Sequence, residues 1–460
     1  MIEYVHRGEI VRESDLPADL TLLEYLRNER RNTSVKEGCA SGDCGACTVA
    51  LGLLGAEGVH YHSVNACICP AAELHGRELV TAVDLATGTQ LHPIQQAFVT
   101  QHASQCGFCT PGFVISAFVL LENVTDPSQE QIAQAIAGNL CRCTGYGPII
   151  AAVHTAAATY TRDARSADLL SEIAPSDCRF GLSLPTSLQA LAETIDQTPS
   201  FTLVAGGTDL MLEVTQNLKP KPQLIGLSRI AELSGIREEE GRVTLGAGVT
   251  YTQLLQWATQ RLSPLANLLW HIGSDQIRNR GTLGGNLGSA SPIGDLAPVL
   301  IALGAEIRLW SPAAERTMLV RDFFTGYRQT VLKDREIIRS VSFRLPQRDD
   351  IFTVDKVSKR REDDISTLCQ AVLAKFENDH LVSLSIGLGG MAATPIQAES
   401  LCQELLNRHV AELSFDRLAP LVRAHLKPMD DLRASAEYRL HCCAALLVQT
   451  LNFREGVNVS

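Results

Sequence analysis

Three cysteines with the spacing C-x4-C-x2-C lie near the N-terminus, at Cys39, Cys44 and Cys47. This spacing is typical of a plant-type [2Fe-2S] site, which takes a fourth cysteine further along the chain. Cys67 and Cys69 are both candidates for that fourth thiolate. A structural zinc site is the alternative, but zinc favours paired knuckles over three cysteines so close together. The spacing therefore favours an iron–sulfur cluster.

Two further cysteine pairs follow, Cys106 with Cys109 and Cys141 with Cys143. Each pair precedes a predicted helix start, where free N–H groups and partial positive charge favour an anionic cluster. A C-x2-C pair alone also occurs in zinc half-sites and in thioredoxin-like motifs. The C-x-C pair fits zinc poorly, however, and no βαβ unit surrounds the first pair. We therefore predict a second [2Fe-2S] cluster on these four cysteines.

Two glycine-rich segments, residues 203–210 and 281–286, could approach a nucleotide. Glycine pairs let backbone N–H groups come close to a pyrophosphate without an intervening Cβ. Neither segment is G-x-G-x-x-G, so a Rossmann site is not indicated, and tight turns explain most single glycine pairs. Two such segments in one domain, downstream of two metal sites, favour a nucleotide cofactor.

The composition bounds the class of protein. A chain of 460 residues is too long for one core, so several domains are expected. A net charge of −11 argues against a nucleic-acid partner. The 14 cysteines cluster at metal-ligand spacing, which predicts the reducing cytoplasm. The N-terminus does not resemble a signal peptide, and no apolar stretch reaches the ~18–20 residues of a membrane span.

Capping signals and periodicity predict the elements that position these residues. Residues 2–13 predict a β-hairpin, and Thr21 opens a capping box before the cysteine loop. Between residues 92 and 160 the period becomes helical, which predicts four helices, and a second capping box starts at Ser128. Strands followed by Leu- and Ala-rich helices predict an α+β module after residue 350.

These motifs together resemble the molybdenum hydroxylase family over nearly the whole chain. Residues 39–47, 65–67, 105–112 and 138–146 resemble its two iron–sulfur domains, and residues 276–279, 284–286 and 290–295 resemble its flavin domain. With clusters and flavin domain but no molybdenum domain, the chain resembles a bacterial small subunit. Residues 323–328 and 359–364 are most similar to the xanthine dehydrogenases within the family.

The resemblance implies a multidomain α+β fold in five segments. These are a plant-type ferredoxin-like [2Fe-2S] domain (1–80), a four-helix [2Fe-2S] domain (81–162), a linker (163–177), a two-part α+β FAD-binding domain (178–348) and a C-terminal α+β domain (349–460). It also implies the ligands of both clusters, Cys39, Cys44, Cys47 and Cys67 for one and Cys106, Cys109, Cys141 and Cys143 for the other. Cys67 is preferred over Cys69 because it follows an Asn-Ala pair.

For FAD, the resemblance implies a larger set of contacts. They are Leu203, Val204, Ala205, Gly206, Gly207, Thr208, Asp209, Leu210, Ile272, Thr282, Leu283, Gly284, Gly285, Asn286, Asp295, Ile338 and Lys356. Tyr327 and Asp363 are expected near the flavin face where NAD+ arrives, and no catalytic residue for substrate hydroxylation is expected on this chain.

The implied function is electron transfer within a xanthine dehydrogenase. A molybdopterin-binding large subunit would oxidise the purine, and electrons would pass through two [2Fe-2S] clusters to FAD and then to NAD+. A cytoplasmic heterotetramer of two small and two large subunits is expected. Three alternatives remain open: another molybdenum hydroxylase acting on a different N-heterocycle or an aldehyde, a zinc-stapled interaction protein without redox function, and a free-standing NADH-oxidising flavoprotein.

Overall fold

The structure is a computed structural model that describes residues 1–162, 167–173, 179–180 and 182–452. The chain divides into two compact units. Residues 1–229 and 273–281 form the first unit, and residues 230–272 and 282–460 form the second. The predicted multidomain α+β class is confirmed. That residues 273–281 belong with the N-terminal half was not predicted. Among the described residues, no helix has the length and apolarity needed to cross a membrane.

The N-terminal region is built on a mixed sheet. Its elements are β1 (Ile2–His6), β2 (Glu9–Glu13), α1 (Leu22–Glu24), β3 (Thr48–Gly55), β4 (Gly58–Asn65) and β5 (Glu78–Val80). The strand order is β2-β1-β5-β3-β4, and the β1–β5 pair is parallel. The predicted hairpin is the β1–β2 pair. The Thr21 capping box is present, with Glu24 as its second member, and it starts α1 just before the cysteine loop.

A helical region follows, and all of its residues are described. It contains the four predicted helices, α2 (Pro93–Thr100), α3 (Thr110–Asn123), α4 (Gln129–Ile136) and α5 (Gly147–Ala157). A proline occupies the first turn of α2, α3 and α5, where the missing N–H costs nothing. Ser128 caps α4 through the predicted capping box. Helix α3 is buried along most of its length, so it forms the centre of this region.

The remainder of the first unit is a small α/β layer. Its elements are α6 (Ala167–Glu172), β6 (Arg179–Phe180), β7 (Leu182–Ser183), α7 (Leu188–Gln197), β8 (Thr202–Val204), α8 (Met211–Thr215) and β9 (Leu224–Gly226). The sheet order is β6-β7-β9-β8, and β9 is parallel to both neighbours. Helix α6 lies inside the predicted linker 163–177, where Leu170 packs against Val5. Residues 163–166 and 174–177 of that linker lie outside the described residues.

The second unit begins with an antiparallel sheet covered by helices. Its elements are β10 (Ile236–Glu239), β11 (Arg242–Gly246), α9 (Tyr251–Arg261), α10 (Ser263–Trp270), α12 (Leu283–Gly288), α13 (Leu296–Ala302), β12 (Glu306–Trp310), β13 (Glu315–Leu319), β14 (Phe324–Gly326), β15 (Gln329–Thr330) and β16 (Ile337–Arg344). The helix between α10 and α12 in the sequence, α11 (Asp275–Arg278), belongs to the first unit. The sheet order is β10-β11-β16-β12-β13. Leucine-rich faces of α9, α10 and α13 contribute to the core of this unit.

The C-terminal part is a second antiparallel sheet with three helices. Its elements are β17 (Asp350–Val357), β18 (Leu368–Glu377), β19 (His380–Gly389), β20 (Ile396–Gln397), α14 (Glu399–Leu405), α15 (Phe415–His425) and α16 (Ala436–Asn452). The sheet follows the order β17-β18-β19-β20. At Gly387 a Cβ atom would lie 1.9 Å from the Pro298 carbonyl oxygen, so glycine is required where β19 meets α13.

Candidate functional site

The first cysteine set, defined as Cys39, Cys44, Cys47 and Cys67, lies in the loop before β3 and in the turn after β4. Its thiols interact in pairs: Cys39 with Cys44 and with Cys67, and Cys47 with Cys67. Among the described residues, no three His, Cys, Asp or Glu side chains have the geometry to hold a single metal ion. A [2Fe-2S] cluster takes two cysteines on each of two irons, so pairs are the relevant arrangement.

Backbone N–H groups of the loop point at these sulfur atoms. Ser41 N and Asp43 N donate to Cys39 Sγ at 3.4 and 3.3 Å, and Cys39 N donates to Cys44 Sγ at 3.4 Å. Gly42 and Gly45 both have positive φ, which lets the chain turn tightly around the sulfurs. Thiolates surrounded by N–H donors fit an anionic iron–sulfur cluster.

Cys67 and Cys69 have different surroundings. The neighbouring thiols of Cys39 and Cys47, together with burial, raise the pKa of Cys67. Cys69 is fully buried, its Sγ contacts the Pro70 carbonyl oxygen at 3.7 Å, and burial raises the pKa of its thiol. The structure thus brings Cys67 to the thiols of Cys39 and Cys47 and leaves Cys69 in the core.

We expect Cys67→Ala to lose the cluster of the first cysteine set, because it removes a thiolate ligand. Cys69→Ala should retain that cluster, since it removes only a buried thiol, at a cost of about 1–2 kcal/mol of stability. Iron content and electron paramagnetic resonance (EPR) spectra of the two purified variants measure this difference. The reverse pattern would show that Cys69 is the ligand.

The second cysteine set, defined as Cys106, Cys109, Cys141 and Cys143, lies in the helical region. Cys143 Sγ and Cys106 Sγ are 3.7 Å apart, and Cys109 is paired with Cys141. Burial, and then the Cys141 thiol, raise the pKa of Cys109 to about 12. Cys109 directly precedes the first residue of α3, as predicted from the sequence.

The loop around Cys141 is held by hydrogen bonds of its own. Thr144 N donates to Cys141 Sγ at 3.4 Å, and Cys141 N donates to the Tyr146 hydroxyl at 3.0 Å. Cys106 and Cys143 are exposed, whereas Cys109 and Cys141 are partly buried. The second cysteine set therefore lies at the surface of the first unit.

The two cysteine sets are joined by one backbone hydrogen bond. Leu140 N, next to Cys141, donates to the carbonyl oxygen of Cys44 at 2.9 Å. Two glycines allow this approach: a Cβ at Gly45 would lie 2.3 Å from Gly138 O, and one at Gly112 would lie 2.2 Å from Gly45 O. Any larger residue at these positions would separate the two loops.

A buried polar network surrounds this junction. Asn139 Nδ2 donates to Gly45 O at 2.9 Å, and Ser116 Oγ donates to Asn139 Oδ1 at 2.7 Å. Gln276 Nε2, from α11, donates to Asn139 Oδ1 and to Thr48 Oγ1, each at 3.2 Å. Residues of three sequence regions thus meet beside the first cysteine set.

The first glycine-rich segment, residues 203–210, runs from β8 into the start of α8. A Cβ at Gly206 would lie 1.9 Å from the Arg280 carbonyl oxygen, so this close approach requires glycine. The Arg280 guanidinium donates from Nε to Gly206 O at 2.9 Å. Gly207 has a φ of +80°, which makes the sharp turn between strand and helix.

Arg280 also forms a buried ion pair with Glu73, whose carboxylate is 3.3 Å from Arg280 Nη1 and 3.0 Å from Arg77 Nη1. Burial opposes ionisation of Glu73, but the charges of Arg280, Arg77 and Arg229 outweigh it and lower the pKa of that carboxyl to about 2. Arg280 therefore links the N-terminal region to the first glycine-rich segment.

Of the second glycine-rich segment, residues 282–286 lie in the second unit, where Thr282 precedes the first residue of α12. Thr282 Oγ1 accepts from Gly285 N at 3.0 Å, and Gly284 N donates to Ala247 O at 2.7 Å. A Cβ at Gly284 would lie 2.8 Å from the Ala247 Cβ. Asn286 Oδ1 is buried and has no hydrogen-bond partner among the residues that the structure describes. A buried amide oxygen without a partner, next to a glycine turn, could accept a hydrogen bond from a bound nucleotide.

The other predicted FAD residues of the second unit include a buried ion pair. Lys356 Nζ lies 3.0 Å from Asp295 Oδ2 and donates to His271 O at 2.7 Å. Both side chains of the pair are less than a tenth exposed. Ile272 is half-buried against the core of this unit, and Ile338 is buried in β16. Of the predicted residues, the structure joins Asp295 and Lys356 directly.

The two residues predicted near NAD+ lie in exposed or half-buried loops. Tyr327 follows β14 and is 63% exposed. Asp363 has a φ of +48°, and the loop 359–364 closes on itself because Arg360 N donates to Asp364 Oδ2 at 2.8 Å. The loop is therefore a defined turn, on which the charged side chains of Arg360 and Arg361 are exposed.

Four family profiles match successive parts of the sequence. They are a 2Fe-2S iron-sulfur cluster binding domain (residues 8–72), a [2Fe-2S] binding domain (81–154), an FAD binding domain in molybdopterin dehydrogenase (178–347) and a CO dehydrogenase flavoprotein C-terminal domain (355–452). The chain belongs to the molybdenum hydroxylase family. Two [2Fe-2S]-binding domains and an FAD-binding domain are therefore its cofactor modules.

Known molybdenum hydroxylases match nearly the whole chain. Xanthine dehydrogenase of Drosophila subobscura is 31% identical over 98% of this chain and 39% of its own length. Human aldehyde oxidase is 29% identical over 92% of this chain and 37% of its own length. One chain of the solved CO dehydrogenase from Oligotropha carboxidovorans superposes on this chain with a TM-score of 0.55 and 26% identity. The superposition covers 60% of this chain and 97% of that one. The chain thus spans about two fifths of the first two relatives.

Sequence reasoning missed several residues of this molybdenum hydroxylase chain. Asn139 and Gln276 were noticed only as motif members. The FAD-binding domain profile covers Gln276, in line with the sequence prediction, and the structure packs its side chain against Asn139 within the first unit. Glu73 and Arg280 were not singled out. Their one sequence signal is weak: Glu73 lies among apolar residues directly after the first cysteine set.

Proposed function

We propose that this chain transfers electrons in a xanthine dehydrogenase, from a molybdopterin-binding partner through two [2Fe-2S] clusters to FAD and then to NAD+. The overall reaction would be xanthine + NAD+ + H2O to urate + NADH. The observation that carries the proposal is the 2.9 Å hydrogen bond from Leu140 N to Cys44 O, which joins the two cysteine sets. An electron relay needs its sites to be adjacent and fixed, and this bond supports that requirement.

Each cofactor has proposed ligands on this chain. The first and second cysteine sets would each bind one cluster. Residues 203–210 and 282–286, with Ile272, Asp295, Ile338 and Lys356, would bind FAD. When bound, the clusters would carry single electrons, and FAD would collect two and reduce NAD+. The protein would supply position: the contacts of Lys356 with Asp295 and with the His271 carbonyl would hold its side chain in one orientation beside the flavin.

The exposed second cysteine set favours a partner at that surface. Cys106 and Cys143 are exposed, and the apolar side chains of Phe108 and Leu140 beside them are 46% and 50% exposed. Apolar residues next to redox ligands are typical of a surface that another protein covers. We propose that the molybdopterin-binding subunit docks here, in an assembly of two small and two large subunits in the cytoplasm.

A second candidate is the same subunit of a different molybdenum hydroxylase. The sequence identities to xanthine dehydrogenase (31%) and to aldehyde oxidase (29%) are nearly equal, which supports this second candidate. Substrate choice would then belong to the partner, which could accept another N-heterocycle or an aldehyde. A free-standing NADH-oxidising flavoprotein is the remaining alternative, since the two [2Fe-2S]-binding domains disfavour the zinc-stapled protein.

Purification and steady-state turnover test the proposal. The protein should contain about four iron atoms per chain, two for each cluster, and show visible absorption that dithionite bleaches. With its partner, it should reduce NAD+ with xanthine as donor. A colourless protein containing zinc would overturn the proposal, turnover with aldehydes but not xanthine would select the second candidate, and NADH oxidation without any partner would select the free-standing flavoprotein.

Asp363→Asn is expected to weaken NAD+ reduction. Asparagine tolerates the left-handed backbone at this position, so the change removes charge without adding strain. A carboxylate near the flavin would favour the cationic nicotinamide, and its loss should lower kcat/KM for NAD+ by about tenfold, or ~1.4 kcal/mol. Steady-state kinetics with NAD+ and with oxygen measure the effect. Asp349→Asn, at an exposed carboxylate before β17, is the matched control, and equal effects at both positions would contradict the assignment.

A further inference from the structure

Two buried asparagines donate hydrogen bonds to carbonyl groups inside the loop 39–47. Asn65, at the end of β4, donates from Nδ2 to Gly42 O at 2.7 Å. Asn139, from the helical region, donates from Nδ2 to Gly45 O at 2.9 Å. The two side chains are 2% and 1% exposed, so water does not compete for these bonds.

Each of these carbonyl groups belongs to a peptide whose N–H faces a sulfur of the first cysteine set. In a planar trans peptide the C=O and N–H groups point in opposite directions, so fixing one also fixes the other. The Gly42 carbonyl is thereby coupled to Asp43 N, which donates to Cys39 Sγ at 3.3 Å. The Gly45 carbonyl is coupled in the same way to Ala46 N, which faces the Cys44 sulfur.

The orientation of Asn139 is itself held by several contacts. Its Oδ1 accepts from Ser116 Oγ at 2.7 Å and from Gln276 Nε2 at 3.2 Å, which leaves Nδ2 to face the loop. Thr48 Oγ1 donates to the same Gly45 carbonyl at 2.6 Å. With its oxygen engaged on one side and its nitrogen on the other, the Asn139 amide cannot rotate.

We propose that Asn65 and Asn139 are positioning residues that raise the reduction potential of the cluster held by the first cysteine set. They hold backbone N–H groups against its sulfurs. This inference rests on the proposed function, because it requires a redox cluster at that place. Reduction adds one electron and no proton to the cluster, and N–H donors stabilise the added negative charge. Because Asn139 comes from the helical region, that region would tune the potential of a cluster bound outside it.

The test is a redox titration of the purified holoenzyme, with dithionite as reductant and EPR detection of each cluster. In Asn139→Ala, the oxidised-to-reduced ratio of the first cluster at a fixed potential should rise about tenfold, or ~59 mV for a one-electron couple. Asn65→Ala should shift the oxidised-to-reduced ratio of the first cluster in the same direction. The potential of the second cluster should not change in either variant. If Asn139→Ala does not fold, Asn65→Ala decides the question.

Asn123→Ala is the matched control. Asn123 Nδ2 also donates from the helical region to a backbone carbonyl of the N-terminal region, Tyr61 O at 2.9 Å, but outside the cysteine loop. In Asn123→Ala, the reduction potentials of both clusters should equal those of the unmodified enzyme. Unchanged potentials in both Asn65→Ala and Asn139→Ala, or an equal shift in Asn123→Ala, would overturn the inference.

Iron content separates this inference from the proposed function. If the unmodified protein holds no cluster, the proposed function fails before any variant is compared. If Asn65→Ala and Asn139→Ala both lose only the first cluster, the two residues are needed for assembly, and the tuning role is overturned. A shifted potential at full iron content supports the inference alone.

Discussion

Cys141→Ser is expected to remove one of two EPR signals and about half of the iron. Cys141 is held within its loop, since Thr144 N donates to its sulfur at 3.4 Å and the Cys141 N–H donates to the Tyr146 hydroxyl. Serine keeps the size of the side chain but is a poor ligand for iron, so the cluster of the second cysteine set should be lost.

Electron transfer should also fail in Cys141→Ser when the cluster of the second cysteine set is lost. The second cysteine set is joined to the first through the Leu140 N to Cys44 O bond, so the loss interrupts the proposed relay between partner and flavin. Changes to the outer shell of metal centres alone cost about 10–100-fold. Loss of a ligand should therefore lower turnover with xanthine and NAD+ by more than about 100-fold.

The matched control is Cys442→Ser, which makes the same chemical change at a partly buried thiol of α16. Iron content, both EPR signals and turnover should be retained in the control. Because the first cysteine set is intact in Cys141→Ser, its signal should persist there. Survival of both signals in Cys141→Ser would refute the second cluster assignment.

Glu73→Gln is expected to destabilise the first unit by about 3–5 kcal/mol at neutral pH, the usual cost of breaking a buried ion pair. The Glu73 carboxylate is 1% exposed and contacts Arg77 and Arg280, while Ser228 Oγ donates to it at 2.9 Å. Arg280 is 8% exposed, so the substitution leaves a buried guanidinium without its counter-charge. Urea unfolding followed by cluster absorbance at pH 7 measures the loss.

The lowered pKa of Glu73 also predicts that the stability of the fold depends on pH. The arginines overcome the effect of burial and lower the pKa of Glu73 in the folded chain to about 2 from its usual 4.5. A carboxyl with a lowered pKa stabilises the fold above pH 4.5, and this contribution disappears as the pH falls toward 2. A shift of this size is worth about 3 kcal/mol. In Glu73→Gln, stability should therefore fall less steeply between pH 4.5 and 2.

Glu437→Gln provides the comparison at an exposed ion pair. Glu437 pairs with Arg423 on the surface, where both side chains are about half exposed, so its loss should leave unfolding unchanged. Equal stability of Glu73→Gln and the unmodified protein at pH 7 would show that the buried pair contributes nothing net.

Short-range chemistry was readable from the sequence. Spacing singled out seven of the eight cysteines of the two sets, because a cluster needs its ligands on tight loops, but it left Cys67 and Cys69 both open as the eighth. The capping boxes at Thr21 and Ser128, and the prolines that open α2, α3 and α5, act within four residues, so they fixed helix starts without any tertiary contact. The multidomain α+β class followed from the order of these local signals.

The junction between the cysteine sets was decided by tertiary structure. Asn139 and Gly45 are 94 positions apart, and Gln276 reaches Asn139 across 137 positions, so no local pattern connects them. Polar side chains such as Asn139, Gln276 and Glu73 are usually exposed, and only packing shows that here they are buried and need partners. The sequence alone therefore determined which residues could bind clusters, whereas the fold determined what holds them together.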